Sequence, residues 1–224
     1  MIFKPYQAFV FDLDGTILDT VLDIQSAVNF ALTKYSLPTH TREEIISYIG
    51  NGSNKMIQRA LGPAHQDLFD PVFKTYYDRY DHYFMEKTKP FAGIVEALTY
   101  AKSHGIALFV YTNKPDRIAK NLIDHSFGTG FFTKVIGIPL GGIIKPDPKA
   151  YLDGIREYGF DLDRQAYFGD SDTDIETAYN IGLSHIYSVS WGYKTKAFLE
   201  SFRLKPTAIL DNPLAIKDVV DGKI

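Results

Sequence analysis

Five short runs rich in β-branched or aromatic residues, at 8–11, 107–111, 134–138, 166–168 and 185–189, alternate with segments of helical periodicity. This alternation constrains the fold more than any other feature of the chain. Such runs suit strands buried on both faces of a parallel sheet. Between them, Ile94, Leu98 and Ala101 mark one helix, Ile118, Leu122 and Ile123 a second, and Tyr151, Ile155 and Tyr158 a third. Strand and helix in turn predict an open α/β sheet. Sheets of this kind bind ligands beyond the carboxyl ends of their strands.

One stretch breaks the pattern. From residue 21 to 85 the periodicity is helical throughout, with no convincing strand. Val21, Ile24, Val28, Leu32 and Tyr35 repeat at helical spacing, and a second helical segment at 43–49 stops at Gly50-Asn51-Gly52. Ser53 is the expected cap of the next helix, and Asp70-Pro71 reads as cap plus first turn of another. The aromatic series Phe69, Phe73, Tyr76, Tyr77, Tyr80, Tyr83 and Phe84 reads as bundle core rather than a stacking platform. The expected organisation is therefore a core of residues 1–17 and 89–224 with an all-helical insert, 18–88, hinged near 18–20 and 87–90.

Composition narrows the chemistry. The net charge is −3 and no long basic block occurs, so nothing points to nucleic acid or an anionic membrane. Cysteine is absent, which removes disulfides, thiolate metal sites and a cysteine nucleophile. No apolar run has the length of a bilayer span, and the N-terminus lacks a signal pattern, so a cytoplasmic location is expected. The histidines are scattered without metal spacing.

The strand ends carry the chemistry. The first gives Asp12-Leu13-Asp14-Gly15-Thr16 and the second Tyr111-Thr112-Asn113-Lys114-Pro115. A third cluster places Lys145 before Pro146-Asp147-Pro148, and a fourth gives Gly169-Asp170-Ser171-Asp172-Thr173-Asp174, with Thr173 and Glu176 spaced as a capping box. Each has an ordinary explanation as a turn or a strand exit. Their joint occurrence, each at the same end of a strand, points to phosphoryl transfer.

Asp12 and Asp170 offer hard oxygen ligands to a small divalent cation, and Mg²⁺ suits such donors. Asp174 holds a metal-bound water or ligates directly. Lys145 adds positive charge, and the Thr112 hydroxyl and Asn113 amide are placed to donate to phosphate oxygens. Asp12 is marked as nucleophile, because a carboxylate can form an aspartyl-phosphate. Residues i and i+2 of an extended strand share a face, so Asp14 can reach the same substrate as general acid and then general base. Gly15 permits the close turn, and Thr16 stabilises that turn or orients Asp14. In the insert, Asn51, Asn54, Lys55 and Arg59 are the candidates to meet a substrate, with Asn51 and Lys55 foremost.

These motifs resemble those of the haloacid dehalogenase superfamily of phosphatases, and the match runs through nearly the whole chain. The resemblance implies a Rossmann-like core with a mobile helical cap inserted just after the first strand. It also implies that the side chains of Asp12 and Asp170, with the main-chain carbonyl of Asp14, bind Mg²⁺, with Asp174 one layer behind. Dehalogenases proper lack the second acid of the first motif, so Asp14 favours a phosphatase. "DLDGTILDTVLDIQSAVNFAL", "IGNGSNKMIQRAL", "YTNKP" and "WGY" followed by "KPTAILDNP" are most similar to the phosphoglycolate phosphatase group. The function this implies is Mg²⁺-dependent hydrolysis of a small phosphorylated metabolite, 2-phosphoglycolate first. Pyrophosphatases, nucleotidases and sugar phosphatases or mutases share the framework. The alternative from another class is a non-catalytic phosphometabolite-binding protein.

Overall fold

The computed structural model describes residues 6–139 and 141–224. Strand β1 (Ala8–Phe11) is followed by the two-residue strand β2 (Leu18–Asp19). Four helices come next: α1 (Val21–Lys34), α2 (Arg42–Tyr48), α3 (Gly52–Leu61) and α4 (Phe69–Tyr83). The chain returns through β3 (Lys89–Pro90), which pairs antiparallel with β2 so that Leu18 faces Pro90 and Asp19 faces Lys89. Then follow α5 (Ile94–Ser103), β4 (Ala107–Pro115), α6 (Asp116–Phe127), β5 (Lys134–Ile138) and α7 (Lys149–Ile155). The last elements are β6 (Gln165–Gly169), α8 (Asp172–Ile181), β7 (His185–Val189), α9 (Lys196–Ser201), β8 (Ala208–Leu210) and α10 (Ile216–Val220).

The main sheet has six strands in the order β5-β4-β1-β6-β7-β8, with every neighbouring pair parallel. This is the open parallel α/β sheet that the alternation predicts, in the Rossmann-like form that the resemblance implies. All four residues of β1 are fully buried. Phe9 and Phe11 face one apolar cluster, where Phe11 stacks on Phe168 with ring centroids 4.7 Å apart. Ala8 and Val10 face the other, with Phe109, Tyr111 and Tyr167. A strand covered on both sides must be apolar throughout, which is why this run shows no alternation. Because β1 lies between β4 and β6, the chain ends carrying Asp12, Thr112 and Asp170 emerge side by side, where strand order reverses.

The insert is tied to the sheet by packing and by one carboxylate. Ile24, Val28 and Leu32 of α1 join Val72, Tyr76 and Tyr80 of α4 in the cluster that also holds Phe9 and Phe11. Tyr76 and Tyr80 are buried and stacked, as expected of core, while Tyr83 is exposed. Asp23, 1% exposed, accepts the N–H groups of Lys87 and Thr88 and the Thr88 hydroxyl, at 2.7–3.0 Å. It thereby clamps the start of α1 to the segment that leads into β3.

Several local expectations are corrected. α3 begins at Gly52, so Ser53 lies inside the helix rather than capping it. α4 begins at Phe69, after a 3-10 stretch at Pro63–Leu68, and Asp70-Pro71 sits within its first turn. The capping box of α8 is formed by Ser171 and Asp174, not Thr173 and Glu176, because Ser171 is the last extended residue (φ −131°, ψ 165°). β8 and the β2–β3 pair are too short to stand out as apolar runs.

Candidate active site

The first motif leaves β1 through a tight loop. The Asp12 N–H still donates to Phe168 O of β6 at 2.9 Å, and the N–H groups of Ile17 and Leu18 both return to Leu13 O at 3.1 Å. Gly15 has φ +85°, and a Cβ there would meet Asp170 Oδ2 at 2.5 Å, so both its backbone and its surroundings require glycine. The loop presents Asp12 and Asp14 to one cavity, but it does so beyond the end of β1 rather than on a strand face, and each carboxylate has its own lysine.

Lys145 Nζ lies 2.7 Å from Asp12 Oδ1 and 2.7 Å from Asp174 Oδ1, and it also donates to Tyr111 O and the Tyr167 hydroxyl at 3.1 Å. Asp174 Oδ2 accepts from the N–H and hydroxyl of Ser171. Asp174 is thus occupied by protein donors, and it holds Lys145 against Asp12. Asp170 accepts the Tyr193 N–H on Oδ2 at 2.6 Å and the Thr16 hydroxyl on Oδ1 at 3.2 Å. Thr16 therefore orients Asp170; Asp14 is oriented instead by the Thr20 hydroxyl, at 2.5 Å.

Oxygen atoms of Asp12, Asp170 and Asp174 all lie within 4.8 Å of one another, and all three residues are buried. One lysine balances three carboxylates. Burial, with the charges of Asp174 and Asp14, pushes the Asp12 carboxyl up to about 7 even though Lys145 opposes the shift. Burial and the charges of Asp174 and Asp12 raise Asp170 as well. Burial works against the charge of Lys145, but Asp12 and Asp174 outweigh it and hold the ammonium above the ordinary lysine range. Hard oxygen donors with uncompensated buried negative charge are a setting that fits a small divalent cation.

The second motif is placed differently from expectation. Thr112 lines the cavity, but the Asn113 side chain is spent on structure: its amide donates to Gly50 O (2.9 Å) and Lys145 O (3.3 Å), and its oxygen accepts the Lys145 N–H (2.7 Å). It clasps the insert and the Lys145 loop to the end of β4. The next residue, Lys114, was not singled out from the sequence. Its Nζ lies 2.8 Å from Asp14 Oδ1, and the residue is 5% exposed. The signal was there: Lys114 follows Thr112 by two in an extended strand, so both lie on one face.

A partly open cavity of about 60 Å³ lies between this floor and a roof from the insert. The roof is made of Ile24, Ile46, Ile49, Met56 and Tyr76, with Gly50, Gly52 and Ser53 from the loop before and into α3. Asn51 and Lys55 are not part of it. Asn51 donates to the Thr173 hydroxyl at 3.4 Å and accepts from Arg59 at 2.7 Å. Lys55 is exposed and lines a separate shallow depression with Tyr48, Gln58 and Arg59. Asn54 is likewise exposed. The helical turn directs these side chains outward while Met56 and Ile57 point to the core. At the side, Tyr193 closes the site. Thr20 supplies no side-chain cap to α1; the Tyr193 phenol oxygen accepts the N–H groups of Thr20 and Val21 instead, at 2.9 and 3.0 Å.

No helix among the described residues is long and apolar enough to cross a membrane. The haloacid dehalogenase-like hydrolase family matches residues 9–187. A phosphoglycolate phosphatase of Agrobacterium fabrum is 29% identical over 219 residues, covering 96% of this chain and 92% of that protein. One of Caulobacter vibrioides is 32% identical over 187 residues, covering 82% and 78%. Among solved structures, one from Lactobacillus delbrueckii subsp. bulgaricus, provisionally assigned as a phosphoglycolate phosphatase, aligns with a TM-score of 0.89 at 28% identity, over 97% of this chain and 99% of that one. The CbbY structure from Rhodobacter sphaeroides, solved with phosphate, shares the fold at 22% identity, with a TM-score of 0.76 over 93% of this chain and 95% of that one. With the family matched over most of its length and a relative 32% identical across four fifths of it, the chain belongs to the haloacid dehalogenase-like hydrolases, an enzyme family.

Proposed function

We propose that this enzyme hydrolyses a small phosphomonoester, 2-phosphoglycolate first, through an aspartyl-phosphate on Asp12 and with Mg²⁺ as cofactor. The observation that carries the reading is the Asp12 carboxylate itself. One oxygen is fixed by Lys145, while the other takes no hydrogen bond among the described residues, on a side chain that lines the cavity. A nucleophile needs that arrangement: an oriented carboxylate with an unspent lone pair. The names of the curated relatives support a compact substrate.

The side chains of Asp12 and Asp170 and the main-chain carbonyl of Asp14 would hold Mg²⁺, with Asp174 steadying them through Lys145 and Ser171. When bound, the cation supplies the positive charge that lets a phosphate dianion approach carboxylates. The chain's own groups do the rest. The free oxygen of Asp12 attacks phosphorus as the bond to the leaving oxygen breaks, and Asp14 delivers a proton to that oxygen. Asp14 then takes a proton from the water that attacks the aspartyl-phosphate, releasing phosphate and restoring Asp12. The Thr112 hydroxyl donates to the phosphoryl oxygens. The helical insert, 18–88, serves as a lid that excludes water from the first step and admits it for the second, over a core of 1–17 and 89–224.

The test is phosphate release from a panel of phosphomonoesters, pyrophosphate and nucleotides with Mg²⁺ present. Highest kcat/KM on 2-phosphoglycolate is expected. A clear preference for pyrophosphate or a nucleotide would overturn the substrate, and no release from any member would overturn the chemistry.

A further inference from the structure

We propose that Lys114 is the residue that receives an acid group on the leaving side of the substrate, making this site selective for phosphomonoesters of hydroxy acids. The inference deepens the proposed phosphatase function and rests on it. The two lysines of the floor are not equivalent. Lys145 has four acceptors for its three N–H groups and no capacity left. Lys114 is as deeply buried, yet its ammonium has one hydrogen-bond acceptor among the described residues, Asp14 Oδ1. Its other stabilising neighbour is the face of Tyr80, with Nζ 4.8 Å from the ring centroid. Two N–H groups of a buried cation thus remain unspent beside a cavity whose roof is chiefly apolar.

Ser53 and Lys194 also line the cavity, but the cations of the insert do not. Lys55 and Arg59 lie in a separate depression. Lys194 reaches the cavity wall, but its ammonium is paired with the exposed Phe198 ring, 5.5 Å from the centroid. The geometry also supplies the exchange. Thr20 donates to the same Asp14 oxygen that Lys114 does, so Asp14 keeps a hydrogen bond when the ammonium turns toward a ligand. A carboxylate brought in by the substrate loses water against Ile24, Ile46 and Met56, and Lys114 is the buried cation with N–H groups left to offset that loss. Neutral leaving groups of the same size leave Lys114 on Asp14 and gain nothing from it.

The experiment compares kcat/KM for 2-phosphoglycolate and for 2-hydroxyethyl phosphate, its neutral counterpart of similar size, in the wild type, Lys114→Met and Lys114→Arg. The wild type is expected to prefer the acid by at least about tenfold. Lys114→Met is expected to shrink that preference by about 10- to 100-fold, the reach of a charge-assisted hydrogen bond, chiefly through KM, and Lys114→Arg to restore part of it. Equal losses on both substrates would mean that Lys114 serves only to hold Asp14, which overturns the proposal, as would an unchanged preference. The wild-type comparison stands even if Lys114→Met does not fold. A wild type that hydrolyses both substrates alike sinks this inference alone. One that hydrolyses neither sinks the phosphatase reading with it.

Discussion

The ammonium of Lys145 stands 2.7 Å from Oδ1 of Asp12, with both side chains buried, and the same ammonium is shared with Asp174 at an equal distance. A lysine so placed is part of the fold as much as of the chemistry. Lys145→Met would leave Asp12, Asp170 and Asp174 facing one another without a protein cation. Metal-free protein is expected to lose about 3–5 kcal/mol of unfolding free energy, the cost of breaking one side of a buried pair. Urea denaturation with and without Mg²⁺ checks this. The variant should gain more from the cation than the wild type does, and an equal gain would contradict the charge imbalance.

Metal binding should depend on pH in a defined direction. Asp12 is pushed up to about 7 in the folded chain, against about 4 for an ordinary aspartate. Between those values the folded, metal-free protein binds more protons than the unfolded chain, so this group's contribution to stability falls as pH rises. A divalent cation takes the deprotonated ligands, so its stabilising effect grows over the same window. The rise in Tm produced by Mg²⁺ is expected to be larger at pH 8 than at pH 5. Equal shifts would show that neither Asp12 nor Asp170 is a ligand.

Asp12→Asn keeps the shape of the nucleophile but cannot form an acyl phosphate, and it is expected to abolish turnover in a folded protein. Asp14→Asn should fold, keep its hydrogen bond from Thr20, and lose about 10²–10⁴-fold in rate, the usual range for a general acid–base. Phosphate release under single-turnover and steady-state conditions separates the two. Near wild-type turnover in the Asp12 variant would end the mechanism.

Asp23 predicts a stability effect with no catalytic residue involved. Its carboxylate is 1% exposed and serves three donors of Lys87 and Thr88. Asp23→Ala strands those donors and should cost about 1–3 kcal/mol, with faster proteolysis at 87–90. A variant as stable and as protease-resistant as wild type would show that the clamp does not hold the insert in place.

What the sequence made legible was whatever depends on short spacing. The parallel α/β sheet follows from the apolar runs, and the helices between β2 and β3 from the helical periods at 21–85. Asp12, Asp14 and Asp170 follow from their positions just past strand ends, and Lys145 and Asp174 from the motifs around them. What stayed illegible was the choice of partner across long separations. Thr16 bonds to Asp170, 154 positions away, rather than to its neighbour Asp14. Asn113 spends its amide on Gly50 and on the Lys145 loop, 63 and 32 positions away. Lys55 was favoured because a cation near a glycine loop suits an acid, yet the turn of α3 decides which way it faces. Polar side chains in a crowded site go to whichever unsatisfied group the fold brings near, and spacing along the chain does not encode that.

Tyr193 makes two attachments at once, its main-chain N–H to Asp170 and its phenol oxygen to the first N–H groups of α1. If α1 swings away from the sheet, it must either give up both bonds at the phenol or drag the 191–194 loop with it. Along the second route the Asp170 carboxylate loses its shortest hydrogen bond as the insert departs. The seat of α1 and the setting of the Asp170 carboxylate then become one equilibrium read at two ends. By the reciprocity of linked equilibria, whatever fixes Asp170 more firmly also weights α1 toward its seat.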